Sequence, residues 1–138
     1  MHIYFSGIGG TGIGPLALIA KQAGFEVTGS DEKRSQYTDY LESKDLDITF
    51  EQTGKGISDA HKAKQIDWYV YSSALTMENP HHPEKIMAEN MKIKTSKRDE
   101  FLNYLIQKKN LDLIAFSGTH GKTTSTAMAI WVAKKTKI

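Results

Sequence analysis

Two glycine-rich loops in this 138-residue chain have the residue types of phosphate-binding turns. The first, Gly7-Ile8-Gly9-Gly10-Thr11-Gly12, satisfies G-x-G-x-x-G with Gly7, Gly9 and Gly12, directly after a β-prone run and at the start of a helical pattern. In that setting Gly7 permits the tight turn, Gly9 lets the backbone approach a pyrophosphate, and Gly12 allows helix and strand to pack closely. The helix N-terminus adds amide donors and the positive end of a dipole. Asp31, after the second strand-like run, stands where such folds place a ribose-binding carboxylate, and Ser30 beside it adds a hydroxyl. The plainer reading, in which the glycines only turn a strand into a helix, leaves Asp31 without a role.

The second loop is Gly118-Thr119-His120-Gly121-Lys122-Thr123-Thr124. Strict G-x-x-x-x-G-K-[ST] is missed, because Phe116 holds the place of its first glycine. The chemistry still fits. Gly121 and its neighbours can present amides to phosphate oxygens, Lys122 can reach terminal phosphates, and the Thr123 hydroxyl can ligate Mg²⁺. The competing reading is a polar helix cap supplied by Thr123 or Thr124.

The elements that must carry these loops alternate. His2–Ser6 reads as a strand, and Leu16, Ile19, Ala20 and Ala23 recur at helical spacing before a stop at Gly24. Phe25–Thr28 is a second strand, Tyr37, Tyr40 and Leu41 mark a helix between about Ser35 and Lys44, and Asp47–Phe50 is a weaker third strand. Thr53-Gly54-Lys55-Gly56 reads as a loop, Ile66–Tyr71 as a β-branched and aromatic strand, and Pro83–Asn90 as a helix with proline in its first turn. Lys92–Thr95 is a short strand. Ser96, with Asp99 or Glu100 behind it, resembles an N-cap for a helix carrying Phe101, Leu102, Leu105 and Ile106. After a polar break at Lys108-Lys109-Asn110, Leu111–Ser117 reads as a buried parallel strand and Lys122–Lys135 as a final helix. The pattern predicts an α/β fold: a Rossmann-like doubly wound parallel sheet with an appended strand, P-loop and helix.

Composition narrows the classes. With 39% hydrophobic and 25% charged residues the chain suits a compact domain, and without cysteine it has no disulfide framework, thiolate nucleophile or cysteine-bound zinc. The apolar runs fall far short of the roughly 20 residues that span a bilayer, and Met1–Phe5 enters a strand instead of a signal peptide. No membrane association and a cytoplasmic location are therefore expected. Residues 1–69 hold 7 Lys/Arg against 10 Asp/Glu (−3), and residues 70–138 hold 11 against 6 (+5). The lysines are scattered without interleaved aromatics, which suits small phosphorylated ligands and argues against nucleic acid.

Taken in order, GIGGTG and GTHGKTT resemble the Mur ligase family of peptidoglycan synthesis, and the resemblance runs through Gly29-Ser30-Asp31, Ser72-Ser73-Ala74 with Asn79-Pro80, and Arg98 with Glu100. GTHGKTT is the most specific of these signals. The resemblance implies a UDP-sugar-binding domain over 1–109 and the beginning of a central ATP-binding domain over 110–138. It implies that Ile8, Gly9, Gly10, Thr11 and Gly12 hold a diphosphate, that Ser30 and Asp31 face the uridine, and that Ser72 and Ser73 lie at the sugar-nucleotide cleft. In such ligases the carboxylate of UDP-N-acetylmuramate attacks the γ-phosphate of ATP, and an amine such as that of L-alanine opens the acyl phosphate to an amide. Gly118, Thr119, His120, Gly121, Lys122, Thr123 and Thr124 would then form the ATP loop. Lys122 and Mg²⁺ on Thr123 would stabilise charge on the transferred phosphoryl group, and His120 would stand between nucleotide and UDP-sugar. The rest of the family's machinery would lie beyond Ile138, so the chain alone is expected to be inactive. A tripeptide-adding member of the same family, an NAD-dependent oxidoreductase using GxGxxG and Asp31, and a nucleotide-sugar sensor without chemistry are the alternatives.

Other residues have quieter readings. His81 and His82, between prolines, read as a loop and not as metal ligands. Trp68, Tyr69 and Tyr71 read as sheet packing, Met77, Met87, Met91 and Met128 as core filler, Lys97 and Arg98 as either a helix start or a phosphate contact, and Lys134, Lys135 and Lys137 as a solvated helix end. Leu111–Phe116 needs cover on both faces, so residues 111–135 are expected to dock on the first domain or to pair with a second copy as a homodimer.

Overall fold

The computed structural model describes residues 1–136; Lys137 lies outside them. Five parallel strands, β1 (His2–Ser6), β2 (Glu26–Ser30), β3 (Asp47–Thr49), β4 (Trp68–Tyr71) and β5 (Lys94–Lys97), form one sheet in the order β3-β2-β1-β4-β5. Helices α1 (Gly14–Gln22), α2 (Gln36–Glu42), α3 (Lys55–Ala63), α4 (Ser73–Glu78) and α5 (Pro83–Asn90) make the crossovers, and α6 (Arg98–Lys109) follows β5. The chain winds outward from β1 through β2 to β3, then returns to β4 on the other side of β1. That reversal opens a crevice at the carboxyl ends of β1 and β4, where doubly wound sheets bind ligands.

Strand alternation sorts the core into two layers. Ile3, Phe5, Trp68 and Val70 pack with Leu16, Ala17 and Ala20 of α1, Leu41 of α2, and Phe101 and Leu105 of α6. Tyr4, Tyr69 and Tyr71 face the opposite way, against Ile57 of α3 and Ala88 of α5. The Phe101 ring stands edge-on to Phe5 and Trp68, with centroids 5.4 and 5.2 Å apart, a favoured geometry for aromatic pairs. The aromatic strand is thus core, as its pattern predicts.

Several expectations need correction. The stretch after Thr53 is not all loop: Gly54, at φ 96°, turns the chain into α3, which holds Ile57 in the core. Ser72 caps a further short helix, α4, accepting from the Leu75 amide at 3.3 Å. Ser96 does not cap α6; it sits inside β5, where its hydroxyl accepts from the Trp68 indole at 2.8 Å, and Lys97 takes the cap position without a side-chain bond. Met77 and Met128 are exposed, at 83% and 64%, while Met87 and Met91 do pack against the core.

The largest correction concerns the end of the chain. Residues 111–117 form no strand, and α7 (Lys122–Thr136) buries none of its described residues. Ile114 is 78% exposed and Trp131 64%, so this segment does not dock on the sheet. A parallel strand of this type exists only between neighbours that satisfy its backbone, and among the described residues no strand lies beside it to pair with it. Its apolarity is a requirement for burial that the described residues do not meet.

Candidate nucleotide-sugar cleft

The first loop is held from below. The Ser30 carbonyl, at the end of β2, accepts from the amides of both Gly7 and Ile8 at 2.9 Å. The Asp31 carboxylate accepts from the Gly9 amide at 2.7 Å, and the Gly7 carbonyl accepts from Gly10 at 3.0 Å. Gly7 adopts φ 73°, a conformation that costs a side-chain-bearing residue energy. The amides of Ile8, Gly9 and Gly10 are therefore spent inside the protein. Among the described residues those of Thr11 and Gly12 have no acceptor, so they are the free donors at the entry to α1.

Close approach rather than turning explains the other glycines. A Cβ on Gly9 would lie 2.9 Å from both Asp31 Oδ2 and Thr38 Cγ2, and one on Gly14 would lie 2.6 Å from the Ile8 carbonyl. A Cβ on Gly29 would meet the Phe5 carbonyl at 2.5 Å and Ile8 Cδ1 at 2.9 Å. Gly12 differs from its expected role. It makes room for the Arg98 guanidinium at the start of α6, and Gly14 and Gly29 let helix, loop and strand close together.

A cleft of about 650 Å³ opens over this loop, lined by residues that follow four strands: Gly9 after β1, Asp31 and Lys33 after β2, Gln52 after β3, and Ser72 and Asn79 after β4. His82 closes it, buried at the start of α5 with an Nδ1 that has no partner among the described residues, and burial lowers the pKa of its imidazole. Beside it a second hollow of about 240 Å³ gathers Thr11, Gly12, Ser72, Ser73 and Arg98. The two hollows share Gly10, Ser72 and Ala74. Together they join a wide groove to a compact hollow whose two free amides, two hydroxyls and guanidinium have the chemistry to hold an anion.

Of the residues expected here, Gly9, Gly10, Thr11, Gly12, Asp31, Ser72 and Ser73 line the two hollows. Ile8 and Ser30 do not, because both are fully buried. The Ser30 hydroxyl donates to Glu84 at 2.7 Å and accepts from Gln52 at 3.3 Å, so it supports the loop from within. Asp31 spends one oxygen on the Gly9 amide and accepts from the Lys33 amide at 3.3 Å with the other. Gln52 and Glu84 escaped the sequence reading, and His82, read there as a loop residue, lines the cleft. Glu84 in a first helical turn looks like an ordinary partner for the helix dipole, and its one signal is the inward alternation of Tyr4 and Ser6 on β1.

The second loop stands apart. Gly118 and Gly121 take φ of 151° and 75°, the Lys122 ammonium donates to the Gly118 carbonyl at 2.6 Å, and the Thr119 hydroxyl lies 3.2 Å from the His120 ring. Every residue from Gly118 to Thr124 is exposed, and none of them lines either hollow. Among the described residues no cluster of three or more His, Asp or Glu could hold a metal, and no helix is long and apolar enough to cross a membrane.

Comparison with known proteins agrees with this fold. Two UDP-N-acetylmuramate–L-alanine ligases are similar in sequence, one from Clostridium novyi at 37% identity over 126 residues and one from Clostridium botulinum at 38% over 137. They are matched over 91% and 99% of this chain and over 25% and 28% of their own length. The chain thus spans about a quarter of the curated relatives it matches. Among solved structures, the UDP-N-acetylmuramate-alanine ligase MurC of Thermotoga maritima superposes with a TM-score of 0.83 at 28% identity, covering 99% of this chain and 30% of that one. A murein peptide ligase of Psychrobacter arcticus gives 0.83 at 29% identity, covering 97% and 26%. The sequence pattern described as "Mur ligase family, catalytic domain" matches residues 2–110, which hold the whole sheet, the braced loop and both hollows. On that match, over most of its length, the chain belongs to the Mur ligase family.

Proposed function

We propose that residues 1–109 bind the UDP moiety of UDP-N-acetylmuramate and that residues 110–138 begin the ATP-binding unit of a ligase that joins this sugar to L-alanine. The observation that carries this reading is the join between the two hollows. The free amides of Thr11 and Gly12, the hydroxyls of Ser72 and Ser73 and the Arg98 guanidinium suit a diphosphate, while Asp31 and Gln52 line the wider groove where a nucleoside fits. Asp31 orients the loop through Gly9 and keeps lone pairs for a ribose hydroxyl. Ile8, Gly9 and Gly10 act through their backbone shape, and Ser30 acts by holding them.

The relatives of known name support L-alanine as the amine that is added; the equal superposition of the murein peptide ligase keeps a peptide amine as the second reading. ATP is the second substrate in this proposal. The glycines, helix N-terminus and ammonium of Gly118–Thr124 have the chemistry to hold its phosphates, with Lys122 placed to neutralise charge on the γ-phosphoryl group and His120 at the boundary with the sugar. Mg²⁺, when bound, would offset phosphate charge, and Thr123 is the residue here suited to ligate it. One oxygen ligand is too few to fix such an ion, so ATP-dependent amide formation is assigned to the longer protein and not to these 138 residues.

Calorimetric titration of the chain with UDP-N-acetylmuramate, with NAD run alongside, tests the reading. Saturable binding of the UDP-sugar, abolished by Gly9→Val, is expected. Binding of NAD in its place would make the first loop a dinucleotide site and defeat the proposal.

A further inference from the structure

Glu84 is buried completely beneath the anion loop. Tyr4 of β1 donates to its Oε1 at 2.9 Å, and Ser6 of β1 and Ser30 of β2 donate to its Oε2 at 2.5 and 2.7 Å. Among the described residues no Lys, Arg or His forms an ion pair with it. Two of its three partners are the footing of the loop: Ser6 precedes Gly7 directly, and the Ser30 carbonyl holds the Gly7 and Ile8 amides. Burial is the largest influence on the Glu84 carboxyl and pushes its pKa up, the three hydroxyl donors pull it down, and the charge of Glu51 pushes it up again.

The surroundings give an independent indication. The carboxyl is fully buried, its three partners are neutral hydroxyls, and among the described residues no cation stands against it. Burying an unpaired charge is costly, and a proton on Glu84 removes that cost. The neutral acid keeps lone pairs for the Tyr4 and Ser30 hydroxyls and can donate its own proton to Ser6 Oγ.

We propose that Glu84 is a positioning residue for the anion loop and that a diphosphate binds to the form in which Glu84 carries a proton, so that binding takes up a proton from solution. The inference rests on the nucleotide-sugar reading of the cleft. An ionised carboxylate in the low-dielectric interior under the loop repels an arriving dianion, whereas the neutral acid does not. The ionisable groups around it are Tyr4 on β1, Tyr69 on β4 and Glu51 ahead of α3, with His82 two residues before it. The tyrosines are pushed upward by burial and stay neutral. Glu51 is held below the usual carboxylate range by the Thr53 hydroxyl and stays charged. His82 is the other group that an anion would draw into taking up a proton.

The test is calorimetry with UDP-N-acetylmuramate in buffers of different ionisation enthalpy, from mildly acidic to mildly alkaline pH, on the 138-residue chain and its E84Q and H82Q variants. The expected result is uptake approaching one proton through the Glu84 titration, with affinity falling up to about tenfold per pH unit there. The uptake should vanish in E84Q and persist in H82Q. Binding without proton uptake, or uptake unchanged in E84Q, overturns the inference and leaves the nucleotide-sugar reading standing; absence of binding by the wild-type chain overturns both. Should E84Q fail to fold, the Glu84 carboxyl resonance of the wild-type chain, titrated by carbon NMR with and without the UDP-sugar, decides: an upward move of its midpoint on binding supports the inference, and a fixed midpoint refutes it.

Discussion

The two glycine loops share a local plan and differ in what surrounds them. Gly7–Gly12 leaves the central strand of a five-stranded sheet, and Ser30, Asp31, Thr38 and Arg98 stand within contact of it or of a Cβ added to it. Gly118–Thr124 follows a stretch that forms no strand, and its hydrogen bonds stay within itself and the helix that follows: Lys122 to Gly118, Thr119 to His120, and Ser125 and Thr126 to the Gly121 and Lys122 carbonyls. A glycine pattern thus supplies the freedom to form a phosphate loop, while neighbouring parallel strands supply the order. Where those neighbours are missing, the free energy of holding the loop in one shape has no source.

Substitutions that add one carbon sharpen this contrast most. Gly29→Ala places a methyl against the Phe5 carbonyl and Ile8; urea melts should show a loss of about 2 to 3 kcal/mol. Gly121→Ala meets nothing within 4 Å and is strained only by its φ of 75°. Because the second loop can relax, its effect should stay below about 0.5 kcal/mol. Equal losses at the two sites would contradict the contrast.

Ligand binding gives the next effects. Asp31→Ala frees the Gly9 amide and removes the carboxylate from the cleft, and the affinity for UDP-N-acetylmuramate should fall at least about tenfold, some 1.4 kcal/mol. Arg98→Ala empties one wall of the smaller hollow and should weaken binding by about fivefold while leaving the unfolding free energy within about 0.5 kcal/mol of wild type. Lys122→Ala should leave UDP-sugar affinity within about twofold, since the second loop lines neither hollow.

Much of the site was legible because local patterns and tertiary structure agree there. The β1–loop–α1 unit follows from strand period, glycine spacing and the stop at Gly24, which takes φ 88°. Asp31 follows from its place after β2. Three things were hidden. Helix α3 begins in a Gly-Lys-Gly run that reads as loop; the burial of Ile57 and Gly56 against the sheet, with the Glu51 carboxylate accepting from the Gly56 amide at 3.0 Å, stabilises it. Glu84 looks like a surface acid until the hydroxyls of three strand residues converge on it. Leu111–Ser117 shows the reverse error: an apolar run states what a segment needs, and whether it becomes a strand depends on its neighbours.

Hydrogen–deuterium exchange of the 138-residue chain, with and without saturating UDP-N-acetylmuramate, tests the central claim most directly. The account predicts slowed exchange at Thr11 and Gly12 and at the amides around Asp31 and Ser72, with residues 118–124 exchanging fast in both states. Protection confined to 118–124, with the first loop unchanged, would contradict it.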